Sequence, residues 1–183
     1  MPRVHCVTKN KHGKMVTCNT CQQVIEPGQK YYWWAFRYGG KRTRCINHAP
    51  RTSDFTQSKM SGAYAAIEGA QDELGECTSP HDMPPILEAC ADSIDEVASE
   101  YQDSLDNMPE NFQQGSTGEE IQEKIDGLNE FAEACRQAAS AIEGELEAYD
   151  ALTETANEDG EDRTSKFEEL IETAESVLND FSL

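Results

Sequence analysis

The sequence predicts a mainly α-helical protein. A small N-terminal zinc module of hairpin and helix is followed by an antiparallel helical hairpin with coiled-coil spacing, then by a C-terminal helix. Three observations predict this. Cys18-x-x-Cys21 and Cys45-x-x-His48 are two close pairs of soft ligands, the pattern of a four-coordinate structural zinc site. Beyond residue 83, apolar residues recur every three or four positions, the period of a helix face. Charge is also segregated. Residues 1–60 carry eleven Lys and Arg against Glu26 and Asp54, a net +9, whereas residues 61–183 carry four against thirty-three acids, a net −29. The expected domains are a basic module over 1–75, an acidic helical hairpin over 80–154, an acidic linker over 155–162 and a helix over 163–183.

Residues 1–17 read as a basic arm or short strand carrying Lys9, Lys11 and Lys14. Glu26-Pro27-Gly28 is a turn signal. A β-hairpin is expected from about Gln29 to Arg44, with Gly39-Gly40 as a two-residue turn requiring positive φ. That turn pairs Trp34 with Cys45, Phe36 with Thr43 and Arg37 with Arg42. Because side chains alternate between faces, Trp34 and Phe36 should accompany Cys45, while Trp33, Arg37, Arg42 and Arg44 share the other face. Like charges opposite one another destabilise a strand pair, so a face of arginines beside a Trp suits an anionic partner.

Nucleic acid is the first such partner, since Arg grips phosphate bidentately and Trp offers a stacking plane. Trp33, Arg37, Lys41, Arg42, Arg44 and Arg51 are the candidate contacts. Docking on the acidic helices, within the chain or in a dimer, and a merely solvated basic face are the alternatives.

A basic module of about sixty residues buries little apolar surface, so zinc is the expected staple. Structural zinc contributes roughly 10–16 kcal/mol of apparent binding energy. Four protein ligands leave no open position, which argues against a catalytic metal. Cys6, beside His5, is either a spare ligand or a bystander. Cys77, Cys90 and Cys135 fall in helical stretches and read as small core residues.

After Pro50, Thr52 or Ser53 can cap a helix from about Ser53 to Leu74, with Phe55, Ala63, Tyr64, Ile67, Ala70 and Leu74 as its apolar face. A ligand pair in a turn, a hairpin, and a second pair leading into a helix is an order that resembles a treble-clef finger. Asp82 can cap the next helix, whose first turn accepts Pro84 and Pro85. Its apolar seam runs Leu87, Cys90, Ile94, Val97, Tyr101, Leu105, Met108. Thr117 and Glu120 form a capping box for a second helix with Ile121, Ile125, Leu128, Ala132, Cys135, Ala139, Ile142, Leu146 and Tyr149 in its seam. Gly127 and Gly144 each weaken it by roughly 1 kcal/mol relative to Ala. The last helix, about Thr164 to Phe181, shows Phe167, Leu170, Ile171, Ala174, Val177, Leu178 and Phe181.

The acidic helices read as a body for self-association or for docking on a protein partner, with Met108, Phe112, Gln113 and Gln114 at the tip as candidate contacts. The competing reading is an acidic interaction protein, an inhibitor or DNA mimic, whose basic head docks on acidic helices. No nucleophile, phosphate loop or paired acid and base stands out, and His5, His12 and His81 are isolated, so a non-enzymatic role is expected. No apolar run is long enough for a membrane span, and a soluble intracellular protein is expected.

The stretches Met1–His5, Tyr31–Arg42 (YYWWAFRYGGKR), Pro50–Ser58, Asn107–Pro109 and Gln113–Gly118 resemble an uncharacterised group of bacteriophage-encoded proteins. The resemblance implies a phage origin and a location in the bacterial host cytoplasm or the virion, and implies no mechanism.

Overall fold

The computed structural model describes residues 2–8, 15–152 and 163–181. Lys9, Lys11 and Lys14 of the basic arm and the linker expected over 155–162 lie outside the described residues. The chain divides into two compact units, residues 1–57 and 58–183. Recounted at that boundary, the first holds ten Lys and Arg against two acids, a net +8, and the second five against thirty-three, a net −28.

The first unit contains strands β1 (His5–Val7), β2 (Val16–Thr17), β3 (Val24–Ile25), β4 (Tyr31–Ala35) and β5 (Lys41–Cys45). β1, β4 and β5 form an antiparallel sheet with β4 in the centre; β2 and β3 form a separate ribbon. Cys18, Ile25 and Tyr31 are its buried core, with Val7, Val16, Trp33 and Cys45 packed around them. So small a core agrees with the need for an additional staple.

The hairpin exists, but its register differs from the expected one. Trp34 lies opposite Arg42, Tyr32 opposite Arg44, Trp33 opposite Thr43 and Tyr31 opposite Cys45. The strands are joined by five residues, Phe36 to Gly40. Neither Gly39 nor Gly40 has positive φ, so the two-residue turn does not form. The slip is three positions, an odd number, and therefore exchanges the two faces. Trp33, not Trp34, shares its face with Cys45. Trp34, Arg42 and Arg44 lie on the opposite face.

Trp34 is nearly fully buried there. Its indole N–H donates to the Asp54 carbonyl at 3.2 Å, and its ring meets Phe55 edge-on at 5.8 Å between centroids. Phe55 belongs to a 3-10 turn, Thr52–Phe55, rather than to a helix. Consequently the helix expected from Ser53 begins at Met60 and lies in the second unit. Phe55 is drawn off the helical pattern because the sheet needs a lid over Trp34.

The second unit is built from α1 (Met60–Glu76), α2 (Met83–Asp106), the short α3 (Glu110–Gln113), α4 (Ser116–Ala151) and α5 (Arg163–Asn179). Pro84 and Pro85 occupy the first turn of α2. Asp82 stands at its N-cap without a side-chain cap bond. α4 starts two residues earlier than its expected capping box allows. Gly115 is the N-cap, and no side chain caps the end.

α2 and α4 run antiparallel: His81 lies beside Asp150, Asp95 beside Arg136, and Leu105 beside Gln113. Leu87, Cys90, Ile94, Val97 and Tyr101 interlock with Ile125, Leu128, Ala132, Cys135, Ala139 and Ile142, so both expected seams are buried along their middle, while Leu105, Met108, Ile121, Leu146 and Tyr149 towards their ends are half-buried. Phe131 and Ala138 join them from α4. α1 adds Met60, Ala63, Ile67, Ala70 and Leu74, and α5 adds Leu170, Ala174 and Leu178. Cys90 and Cys135 are a buried pair of free thiols. The hydrogen bond between them, reinforced by burial, raises the Cys90 thiol far above its ordinary pKa. They fill the core as small side chains. Among the described residues no helix is long and apolar enough to cross a membrane.

Candidate metal centre

Each ligand pair is placed by its own tight turn. In the first, the Cys18 N–H donates to the Gln23 carbonyl at 2.9 Å and the Gln22 N–H donates to the Cys18 carbonyl at 3.0 Å. Gln22 sits at φ 59°, a left-handed conformation that folds the chain back and turns both thiols inward. In the second, β5 ends at Cys45, and the His48 N–H donates to the Cys45 carbonyl at 3.1 Å, closing one turn between the two ligands.

Asn19 joins the two turns. Its backbone N–H donates to the Thr43 carbonyl at 2.8 Å, and its Oδ1 accepts from the Thr43 N–H at 2.6 Å.

The result is a cluster of Cys18, Cys21, Cys45 and His48 that could hold a metal ion, with all four ligand atoms within 4.8 Å of one another. Cys21 Sγ lies 4.0 Å from Cys45 Sγ. His48 Nδ1 lies 3.9 Å from Cys18 Sγ and 3.1 Å from Cys45 Sγ. A tetrahedral ion with bonds of about 2.3 Å to sulfur and about 2.0 Å to nitrogen sets its ligands roughly 3.5–3.8 Å apart, so small adjustments seat one. Nδ1 is the imidazole nitrogen facing the sulfurs. His5 and Cys6 are not part of the cluster, and Cys6 is exposed.

The electrostatics suit a cation. Burial opposes ionisation of Cys18, but hydrogen bonds from the backbone of Cys21, Cys45 and Thr20 outweigh it and lower the thiol to about 6. At Cys21 the Gln23 backbone pulls the pKa down, while burial and the neighbouring Cys18 and Cys45 sulfurs push it up, and the net shift is upward. One thiolate forms readily and resists a second beside it. A positive ion removes that conflict.

The expected polyanion face is divided by the register. Trp33 lies on the metal side, stacked on His5 with centroids 4.3 Å apart, and Lys41 Nζ stands 4.5 Å from its ring centre. Arg44 is drawn into an ion pair with Asp54. Asp54 also accepts the Arg51 N–H at 3.0 Å. Arg42 is exposed, and exposed Arg37 lies over the Tyr38 ring. Neither arginine has a carboxylate partner among the described residues. Sequence reasoning missed Asn19, Asp54 and the His5 stack. A capping-type Asx beside a cysteine knuckle was the only available signal, and it pointed to Asn19 alone.

At the helical tip, Phe112 is 55% exposed. Met108 is half-buried and Gln114 exposed. Gln113 caps the end of α2, its Nε2 donating to the carbonyls of Leu105 at 2.9 Å and Met108 at 2.8 Å.

Compared with family models, with curated proteins and with solved structures, the chain gives no match. The fold and the cluster define a class only: a Cys₃His metal-binding β unit joined to an acidic helical unit.

Proposed function

We propose that this chain is a non-enzymatic binding protein, stapled by zinc, whose basic N-terminal unit contacts nucleic acid and whose acidic helical unit self-associates or docks on a protein partner. Three cysteine sulfurs and an imidazole, four soft or borderline ligands gathered within 4.8 Å of one another, favour zinc over the hard cations, which select oxygen ligands.

One observation carries the nucleic-acid reading: the charge changes sign at the boundary between the two units, +8 on one side and −28 on the other. Within the first unit the acids are Glu26 and Asp54 alone, and Asp54 is engaged by Arg44. Arg37, Lys41 and Arg42 therefore project positive charge with no local neutralisation, which attracts phosphate and steers its approach. A phage origin, suggested by the sequence motifs, is compatible with this role.

The test is binding of a labelled oligonucleotide by the zinc-loaded chain across a salt series. Binding that weakens steeply with salt supports the reading, and Arg37→Ala with Arg42→Ala should lower both affinity and salt slope. Undiminished binding by that variant would sink it.

A second reading draws on the helical unit. Arg136 is paired with Asp92 and Asp95, Arg163 with Asp150, and Lys166 with Glu145 and Glu169. Lys59 is held by Ser104, and Lys124 lies over Tyr101. Far more carboxylates than cations remain. Such a surface suits an inhibitor or DNA mimic acting on a cationic protein, with the basic unit docking on acidic helices. No oligonucleotide binding at low salt, with zinc retained, favours this reading.

A further inference from the structure

Beside the metal cluster lies a cleft of about 480 Å³ between the β3 turn and the loop after β5, with Cys45 at its back. Two β-branched residues form apolar walls that the fold leaves uncovered: Val24 and Ile46 are each 50% exposed. Around them stand Gln29, Lys30 and Asn47, and no carboxylate lines the space. Asn47 has no side-chain partner among the described residues, and Lys30 has no ion pair among them. Gln29 spends its Oε1 on the Glu26 N–H at 3.0 Å, which leaves its Nε2 as a donor.

Exposed amides with bonding capacity to spare, around exposed aliphatic side chains, suit a ligand with two apolar faces and a polar edge. We propose that this cleft receives one unpaired nucleobase of a single-stranded nucleic acid. Val24 and Ile46 contact the base face, the Asn47 and Gln29 amides bond its edge, and Lys30 holds the adjoining phosphate. This assignment rests on the nucleic-acid reading above and sharpens it, because bases stacked inside a duplex cannot present a face to this cleft. Extruded bases elsewhere are held in this way, between apolar side chains with hydrogen bonds to their edge. The metal has an indirect part: it fixes Cys45, and so the loop that carries Ile46 and Asn47.

The experiment uses the full zinc-loaded chain and three labelled probes: a single strand of about twelve nucleotides, an abasic strand of the same length, and the duplex. Val24→Ser with Ile46→Ser should weaken single-strand binding about tenfold while leaving abasic and duplex binding at the native level. Both positions are half-exposed, so zinc content and sheet circular dichroism should be retained. Equal affinity of variant and native chain for the single strand, or equal loss on all three probes, overturns the cleft and leaves the broader reading standing. Failure of the native chain to bind any probe overturns both. Should the double variant lose zinc, Asn47→Ala replaces it. An unchanged order of affinity among oligo-dA, oligo-dC and oligo-dT would then refute the site.

Discussion

The Thr43 N–H donates to Asn19 Oδ1 at 2.6 Å, and the Asn19 N–H returns a bond to the Thr43 carbonyl at 2.8 Å. This two-way clamp ties the turn that bears Cys18 and Cys21 to the strand that ends at Cys45. Thr43 is buried, so its N–H has no water to turn to.

Asn19→Ala should therefore leave a buried donor unpaired, at a cost of about 1–3 kcal/mol, and loosen the ligand geometry. Outer groups that orient metal ligands typically matter by roughly 10–100-fold in affinity. Competition against a chromophoric chelator measures this. Asn19→Asp, which keeps the acceptor, should recover most of the loss, and an unimpaired Asn19→Ala would show the clamp to be dispensable.

Acid should release the metal. The Cys18 thiol is lowered from 9.0 to about 6 in the folded unit. A depressed folded-state value stabilises above the unfolded pKa, and that contribution shrinks as pH falls from 9 through 6. Below that point the thiol is protonated in both states and the contribution is gone. A bound cation competes with the proton and moves release to lower pH. Zinc-sensitive dye fluorescence along an acid titration should show loss of metal and of the N-terminal sheet signal together, with the helical signal at 222 nm persisting.

Arg42→Gln and Arg44→Gln should behave differently although the residues are two apart in one strand. Arg44 is occupied by Asp54, so its loss should change oligonucleotide affinity little and thermal stability measurably. Arg42 is exposed, and its loss should lower the salt slope by about one without affecting the melting temperature. Equivalent effects would contradict the division of the basic face.

Two glycines in α4 make a matched pair. A Cβ at Gly118 would stand 2.0 Å from the Gln113 carbonyl oxygen, backbone that cannot move without opening the tip. One at Gly144 meets nothing within 4 Å. Gly118→Ala should cost about 1–3 kcal/mol or more. Gly144→Ala should stabilise by roughly 0.5–1 kcal/mol. Thermal melts of the helical signal separate the two, and a shift in the same direction for both would refute the close approach.

How much of this was legible follows from how local each signal is. The metal quartet could be read because each pair spans a single turn, and the helical seams because their period repeats over many turns. Register was not legible. Tyr31 to Trp34 are all aromatic, so no alternation marks which face is buried, and Gly39-Gly40 offered a plausible but wrong turn. Phe55 fits a helical face in sequence, yet Trp34, twenty-one positions away, takes it for the sheet. Asn19 and Asp54 act through partners in other elements, which a linear reading does not pair.

The last ligand, His48, precedes Met60, the first buried residue of the helical core. Everything needed to close the metal cluster is thus synthesised before any of the helical core has been made. Domains of a growing chain fold as units, N-terminal first. On the zinc reading proposed above, metal supply at the ribosome, rather than helix assembly, would be the earliest checkpoint in this protein's biosynthesis. Under zinc starvation, newly made chains should accumulate with a finished helical unit and a protease-sensitive front end.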